Sequence, residues 1–496
     1  MRIITWICMA LVCVAIVVPL QAAPKVTVSV DQDLLSQSLS GRLYLFTSKR
    51  EEQPPFTGPN WFSPEPFYAV DITLAPKTIV SLTGVIKGFP KTLADLPAGI
   101  YFFQALFDHD FYHSNHAQGA GNFYSEVVKI DWDGDNEFEL RLSSVIAEKE
   151  FSGTKYHQQV RMLSPRLSAF FNRDVVQKAT VVLPKSYYET TDKRYPIIYE
   201  ISGFGGAHET MGRRHMQGSN PTGDAEVDFI HVYLDGQCKW GHHVYADSAT
   251  NGPRGAALVE ELVPEVARRY RTINAVEARY LTGHSSGGWS SFWLQVNYPG
   301  TFGGVWSTAP DPVDFRDYQE VNLYSAKPLS LYHNPTGERR PLARRGETPM
   351  IWYVDFGKMD DALGRGGQLR SFEAVFSPVD QQGKPILMWR RDNGQVIPST
   401  VKYWREYDIN LLIKRRWNTG LKEQLSGRLH VFMGTLDTFY LNGACDQIKA
   451  TLKGLGSDAE IVMVNGKDHF NLMSPDIRQR IANEMAAQFL AYYRGK

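Results

Sequence analysis

The sequence predicts a two-part chain: an all-β domain, then an α/β domain built on a mostly parallel sheet. Three observations carry this. Residues 24–150 hold seven short stretches rich in β-branched and aromatic residues, separated by Pro, Gly, Asp and Asn. Beyond residue 151, apolar strands alternate with long amphipathic helices. The chain has 496 residues, more than one ordinary domain holds.

The first residues stand apart from both. "MRIITWICMALVCVAIVVPLQAAPKV" has one Arg, an uncharged apolar run from Ile3 to Leu20, Pro19, and a small-residue exit at Ala22 and Ala23. This reads as a secretory signal peptide over residues 1–23. The alternative is an uncleaved anchor, but the run is short of a comfortable span and ends in Pro and Ala-Ala. No small residue precedes Cys13, which argues against a lipoprotein box. The mature chain is therefore expected in a periplasm or outside the cell, with no membrane span after cleavage.

The seven stretches that follow are "KVTVSV", "GRLYLFTS", "FYAVDITL", "TIVSLTG", "GIYFFQALFD", "YSEVVKIDW" and "EFELRLSSVI". Short strands with turn signals between them predict a β-sandwich of immunoglobulin-like type over residues 24–150.

From residue 151 to 496 the rhythm is that of alternating strands and helices. "YPIIYEISG" and "FIHVYLDG" precede a helix from Arg254 to Thr272. In it Leu258, Leu262 and Val266 recur every four residues beside Val259, Val263 and Ala267. "RYLTGHS", a helix from Ser286 to about Asn297, and "FGGVWSTAP" come next. The end of the chain carries "LHVFMGTLD", "EIVMVNGKDH" and a final helix. Ser474 and Pro475 open that helix, and Ile477, Ile481, Met485 and Phe489 form its apolar stripe. Such alternation predicts a parallel sheet with helices on both faces. Between about residues 312 and 425 the rhythm breaks into a polar, Arg-rich, Trp-containing stretch with a helix over Val401–Leu412. It reads as an insertion between two late strands.

Lys+Arg and Asp+Glu each number 53, and the pI is about 7.2. That balance gives no electrostatic support for binding nucleic acid or an anionic membrane. Of four cysteines, Cys8 and Cys13 lie in the signal, leaving Cys238 and Cys445. Two cysteines in so long a chain make no disulfide framework.

The chemistry centres on "RYLTGHSSGGWSSFW". Gly283-His284-Ser285-Ser286-Gly287 matches G-x-S-x-G, a weak signal alone that gains weight between an apolar strand and an apolar helix. There a serine adopts an unfavourable backbone so that its hydroxyl stands clear of the sheet, and small neighbours let strand and helix approach. Serine needs a base and an orienting acid. His469, after the last strand and before the last helix, is the candidate base. Asp437, at the end of "LHVFMGTLD", is the candidate acid. Asp311 in "APDPVD" also ends a strand and stays open as an alternative, as does Asp468 beside the histidine. The tetrahedral oxyanion needs two donors. The backbone N–H groups of Ser286, at the elbow, and Phe204, in "SGFGG", are the candidates.

These residues carry a resemblance. "PIIYEISGFGG", "DSATNGPRGAALVEELVPEVARRYR", "RYLTGHSSGGWSSFWLQVNYPGTFGGVWSTAPDPVDF", "LHVFMGTLDTFYL" and "GKDHFNL" are together similar to the putative-esterase family of α/β-hydrolases. That group includes S-formylglutathione hydrolases, feruloyl and acetyl-xylan esterases, enterochelin esterases and mycolyltransferases. The similarity runs from about Val160 to Lys496, apart from the insertion. It implies an α/β-hydrolase domain with Ser285 as nucleophile, Asp437 as acid and His469 as base. Relatives often carry His-Gly before the oxyanion turn, where this chain has Ser202-Gly203. The usual strand order of that fold puts Cys238 and Cys445 after strands about four spacings, roughly 19 Å, apart, so a bridge between them is not expected.

Other motifs take plainer readings. "FDHDFYHSNH" crowds Asp108, His109, Asp110, His113 and His116 into one loop, without a spacing that puts ligands on one face. "DWDGDNE" lacks the later bidentate Glu of a calcium loop and reads as a hairpin turn. His242 and His243 read as packing residues near the rim. Trp352, Trp389, Trp404 and Trp417 of the insertion are candidates for an acyl or aryl pocket, or for the insertion's own core.

The sequence thus predicts an exported serine esterase cleaving a small-molecule or carbohydrate-linked ester through an acyl-enzyme. No metal or organic cofactor is implied. Transfer of the acyl group to a sugar or other alcohol, and a non-catalytic binding protein on a degenerate hydrolase fold, are the rival readings. Oligomeric state is not encoded.

Overall fold

The structure, a computed structural model, describes residues 25–82, 86–110, 112–223 and 225–494. The signal peptide read over residues 1–23 lies outside the described residues. Among the described residues no helix is long and apolar enough to cross a membrane.

Among the described residues nine strands form the N-terminal part: β1 (Lys25–Val30), β2 (Leu39–Ser48), β3 (Phe67–Leu74), β4 (Ile79–Ser81), β5 (Lys87–Phe89), β6 (Gly99–Asp108), β7 (Phe123–Ser125), β8 (Val128–Trp132) and β9 (Glu137–Val145). All nine are hydrogen-bonded into one sheet of order β4-β1-β9-β7-β6-β2-β3-β5, with β8 branching from β6. The branch arises because β6 pairs β8 through Gly99–Phe103 and β7 through Leu106–Phe107. "YSEVVKIDW" is therefore two strands. The turn of "DWDGDNE" joins β8 and β9, which pair with different partners, so it is not a hairpin turn. Val26 and Val28 of β1 share one core with Leu43 of β2, Phe103 of β6 and Leu140 of β9.

The opposite face of β2, β3, β5 and β6 is buried too. Tyr44, Phe46, Phe67, Phe89 and Leu106 belong to the large core of the second domain. Full burial of both faces explains the near-continuous apolar run of β2 and β6, where a half-exposed strand would alternate.

The second sheet contains β10 (His157–Leu163), β11 (Val176–Val182), β12 (Ile197–Ile201), β13 (Ile230–Leu234), β14 (Arg279–His284), β15 (Gly304–Thr308), β16 (Leu429–Gly434) and β17 (Glu460–Val464). Its order is β10-β11-β13-β12-β14-β15-β16-β17. The pairs β10/β11 and β11/β13 are antiparallel, and the six strands from β13 to β17 run parallel. Side-chain alternation splits the sheet cleanly. Ile197, Tyr199, Leu281, Val305 and Val431 face one core, while Ile198, Tyr280, Trp306 and Phe432 face the other. Helix α1 (Ser286–Asn297) covers the first face. The C-terminal helix Pro475–Arg494 covers the second through Ile481, Met485 and Phe489. The helix read from Arg254 runs to Arg269, with a π-turn over Leu258–Leu262 at its middle.

Between β15 and β16 the chain forms a two-stranded ribbon, Pro341–Arg345 with Thr348–Trp352, and then α2 (Tyr353–Leu363), α3 (Gln368–Phe376), α4 (Pro398–Trp404) and α5 (Ile409–Arg416). The helix read over Val401–Leu412 is thus two helices. Asp408 breaks it: its carboxylate caps α5 at Leu411 N–H and also accepts from Phe315 N–H and Tyr324 Oη. Cys238 and Cys445 are both buried free thiols.

Candidate active site

The elbow begins with steric crowding. A Cβ on Gly283 would sit 2.3 Å from the Gly287 carbonyl oxygen, and one on Gly287 would sit 2.0 Å from that of Ile201. Only glycine lets β14, α1 and β12 meet this closely. Between them Ser285 is held at φ 60°, ψ −125°, a conformation costing about 1–3 kcal/mol for a non-glycine residue. The strain is fixed by backbone bonds on both sides: Ser285 N–H to Thr308 O at 3.0 Å, and Trp289 N–H to Ser285 O at 3.0 Å. The first N–H groups of α1 have no intrahelical acceptor, and the helix starts directly after Ser285.

The turn after β12 approaches from the neighbouring strand. Gly206 N–H donates to Gly203 O at 3.1 Å, and Gly205 takes φ +78°, as the third position of a type II turn requires. A Cβ on Gly203 would come within 3.3 Å of Ser285 Cβ, which places Gly203 and Phe204 against the serine. His242 supports this turn from behind. Its Nδ1 accepts from Val244 N–H, so Nε2 carries the proton and donates to Ser202 O at 3.1 Å. Burial drives its pKa down to about 4, which keeps it a neutral donor. His243 is likewise buried and bonded to Asp235 O. Both are packing residues.

Asp437 follows β16 and is fully buried. Its Oδ1 accepts from Phe439 N–H at 2.9 Å and Leu441 N–H at 3.3 Å, and its Oδ2 lies 2.8 Å from His469 Nδ1. The His469 ring is fixed edge-on to Phe439, with centroids 4.9 Å apart. The other two carboxylates are occupied elsewhere. Asp468 Oδ1 accepts from Phe470 and Asn471 N–H, closing the turn after the histidine. Asp311 Oδ2 accepts from Ser286 Oγ at 2.6 Å, and burial raises its pKa to about 6. His284, its ring tilted against that of His469 with centroids 4.7 Å apart, is pushed down to about 4, first by burial and then by that neighbour.

Ser285, His469, Gly203 and Phe204 line one cavity of about 430 Å³. The insertion contributes Leu342, Phe356 and Phe372 to its wall, and the loop between β2 and β3 contributes Asn60, Trp61 and Phe62. The four insertion tryptophans do not line it. Trp389 is buried under Arg391, Trp404 donates to Ser377 Oγ, and Trp417 donates to Leu455 O. Trp352 lies beneath Arg339. They hold the insertion together instead. Nothing local distinguished Trp61 and Phe62 in the sequence, because their relation to Ser285 spans more than 200 residues of chain.

The crowded loop after β6 forms separate pairs. His113 Nδ1 meets Asp110 at 3.0 Å, His116 meets Phe56 O at 2.9 Å, and Asp108 meets Arg365 at 3.2 Å. Among the described residues the one grouping of metal-ligand type is His430, Glu460 and Glu484, and Arg480 bridges its two carboxylates.

The family model described as Putative esterase matches residues 168–451, more than half of the chain. No curated protein matches it. Similar solved structures include a ferulic acid esterase, 14% identical, TM-score 0.42, covering 67% of this chain and 98% of its own. The Staphylococcus aureus fluorophosphonate-binding serine hydrolase F is 12% identical, TM-score 0.39, covering 67% and 99%. An S-formylglutathione hydrolase from Agrobacterium tumefaciens is 14% identical, TM-score 0.38, covering 69% and 98%.

Proposed function

This chain belongs to the putative esterase family, and from that premise we propose that it is an exported serine esterase working through an acyl-enzyme. The observation that carries the serine mechanism is the 2.8 Å contact of buried Asp437 with His469, whose ring lines the cavity that also holds the strained Ser285. Ser285 Oγ attacks the ester carbonyl carbon. His469 Nε2 takes the serine proton and later gives it to the leaving alkoxide. Asp437 holds Nδ1–H and stabilises the imidazolium that forms. The N–H groups of Ser286 and Phe204 receive the oxyanion. Water, activated by the same histidine, releases the acid. Asp311 orients the first residue of α1 through the Ser286 hydroxyl and takes no proton from the substrate. Export rests on the signal sequence of residues 1–23.

The test is hydrolysis of 4-nitrophenyl acetate by the mature protein and by Ser285→Ala. The expected result is turnover by the wild type and a loss of several orders of magnitude in the variant. Equal rates in the two proteins would remove Ser285 from the mechanism. A wild type that neither turns over the ester nor labels with a fluorophosphonate probe would favour the binding-protein reading.

A further inference from the structure

The loop between β2 and β3 belongs to the N-terminal domain, yet its tip reaches the cavity of the second. It is held at both ends. Glu65 Oε1 accepts from Lys49 N–H at 2.9 Å and Ser48 Oγ at 3.1 Å. Phe56 N–H donates to Gln104 Oε1, and its carbonyl accepts from His116 Nε2 at 2.9 Å. At the tip, Asn60 Oδ1 accepts from Phe62 and Ser63 N–H, closing a tight turn that fixes where the two rings point.

Those rings meet different parts of the site. Trp61 lies between two walls: its centroid is 5.6 Å from Phe204, on the oxyanion turn, and 5.1 Å edge-on from Phe356 of α2. Phe62 meets Phe470, 6.5 Å away, beside the histidine. Both phenylalanines of this second pair are largely exposed, at 42% and 67%. The His469 side of the site is where a leaving alcohol must depart, because the histidine hands it a proton. Phe204 follows β12, four places across the sheet from β17, which precedes His469.

We propose that Trp61 and Phe62 are specificity-determining residues, Trp61 forming the wall for a bulky apolar acyl group and Phe62 flanking the departing alcohol. The N-terminal domain is then part of the substrate site and not a detached module. This rests on the esterase reading above. A cavity of about 430 Å³ with a mainly apolar wall, Trp61 and several phenylalanines among it, suits an acyl group much larger than acetyl, since close apolar contact and not hydrogen bonding would select it.

The experiment compares kcat/KM of the full-length mature protein on two ester pairs. The acyl pair is 4-nitrophenyl 3-phenylpropanoate against 4-nitrophenyl acetate. The alcohol pair is 3-phenylpropyl acetate against ethyl acetate. Trp61→Ala is expected to lower the acyl ratio at least about tenfold, a loss of roughly one large apolar contact, mostly through KM. Trp61→Phe, which keeps a ring against Phe204, is expected to lower it about threefold and stands in if the alanine variant fails to fold. Phe62→Ala is expected to change the alcohol ratio and leave the acyl ratio within twofold. An acyl ratio unchanged in both Trp61 variants overturns the assignment of Trp61, and an unchanged alcohol ratio in Phe62→Ala overturns that of Phe62. A wild type inactive on all four esters overturns the esterase reading and this one with it, and so is told apart from either.

Discussion

Asp437 Oδ2 and His469 Nδ1 lie 2.8 Å apart in a contact that is buried on both sides, while Asp311, the rival carboxylate, bonds to the hydroxyl of Ser286. The two acids therefore separate by experiment. Asp437→Asn presents an amide to Nδ1 and favours the wrong imidazole tautomer, so kcat on 4-nitrophenyl acetate is expected to fall about 10³–10⁴-fold. Asp311→Asn keeps an acceptor for Ser286 Oγ and is expected to cost less than about tenfold. Equal losses in the two variants would show that both carboxylates serve the histidine.

Asp311 also predicts a pH dependence of stability. Its pKa of about 6 in the folded protein exceeds the roughly 3.9 of an unfolded chain. The folded state thus binds more protons between about pH 4 and 6. Stability from this group falls as pH rises through that window and is level above it. Asp311→Asn removes the loss. Its thermal midpoint relative to wild type is expected to rise by roughly 2–4 °C between pH 4 and pH 7. Asp360 and Glu200, raised to about 6 and about 7 by burial, titrate in both proteins and cancel from the difference. A difference that is flat with pH would mean that Asp311 carries its charge comfortably in the fold.

Gly287 ties nucleophile and oxyanion turn together. Its missing Cβ would sit 2.0 Å from Ile201 O and 2.7 Å from Ser202 O, backbone atoms with no rotamer to yield. Gly287→Ala must push α1 away from β12, which moves Ser285 relative to Gly203. Displacements of about 1 Å in such sites cost about 100-fold in rate. The variant is expected to lose at least that much kcat and to melt several degrees lower, by activity assay and thermal unfolding. A fully active variant would mean that the elbow has slack that the contacts deny.

What could be read from the sequence follows the range of the interactions involved. The elbow was legible because its glycines and serine fall within five residues, Gly283 to Gly287, between an apolar strand and an apolar helix, although the backbone that crowds Gly287 belongs to β12. The acid and base were legible because each ends a recognisable strand, although choosing Asp437 over Asp311 required side-chain geometry. The break at Asp408 was not legible: an apolar period ran across it, and Phe315 and Tyr324, which hold its carboxylate, lie more than 80 residues away. The insertion tryptophans were composition without address. The cavity's tryptophan came instead from the other domain, where only tertiary contact connects Trp61 to Phe204.

That N-terminal part is fastened to the insertion at the end of α2. Arg42 Nη2 donates to Ala362 O at 2.8 Å, and Tyr44 Oη donates to Leu363 O at 2.7 Å. These are carbonyls of the final turn of α2, which lack partners within the helix and carry its negative dipole end. Two residues of a β-strand thus cap a helix of the insertion, and that helix carries Phe356 into the cavity. Arg42 also pairs with Asp71 at 2.7 Å, but Asp71 is 79% exposed, so that bond contributes little. The buried cap is the stronger term, at about 1–3 kcal/mol for each carbonyl left unpaired. Arg42→Met with Tyr44→Phe is therefore expected to lower the thermal midpoint by several degrees, while Asp71→Asn changes it by less than about one. Because α2 is loosened, the double variant is also expected to lose kcat/KM more on 4-nitrophenyl 3-phenylpropanoate than on the acetate. Loss of stability with an unchanged ratio of the two esters would mean that the cap fastens the domains without shaping the cavity.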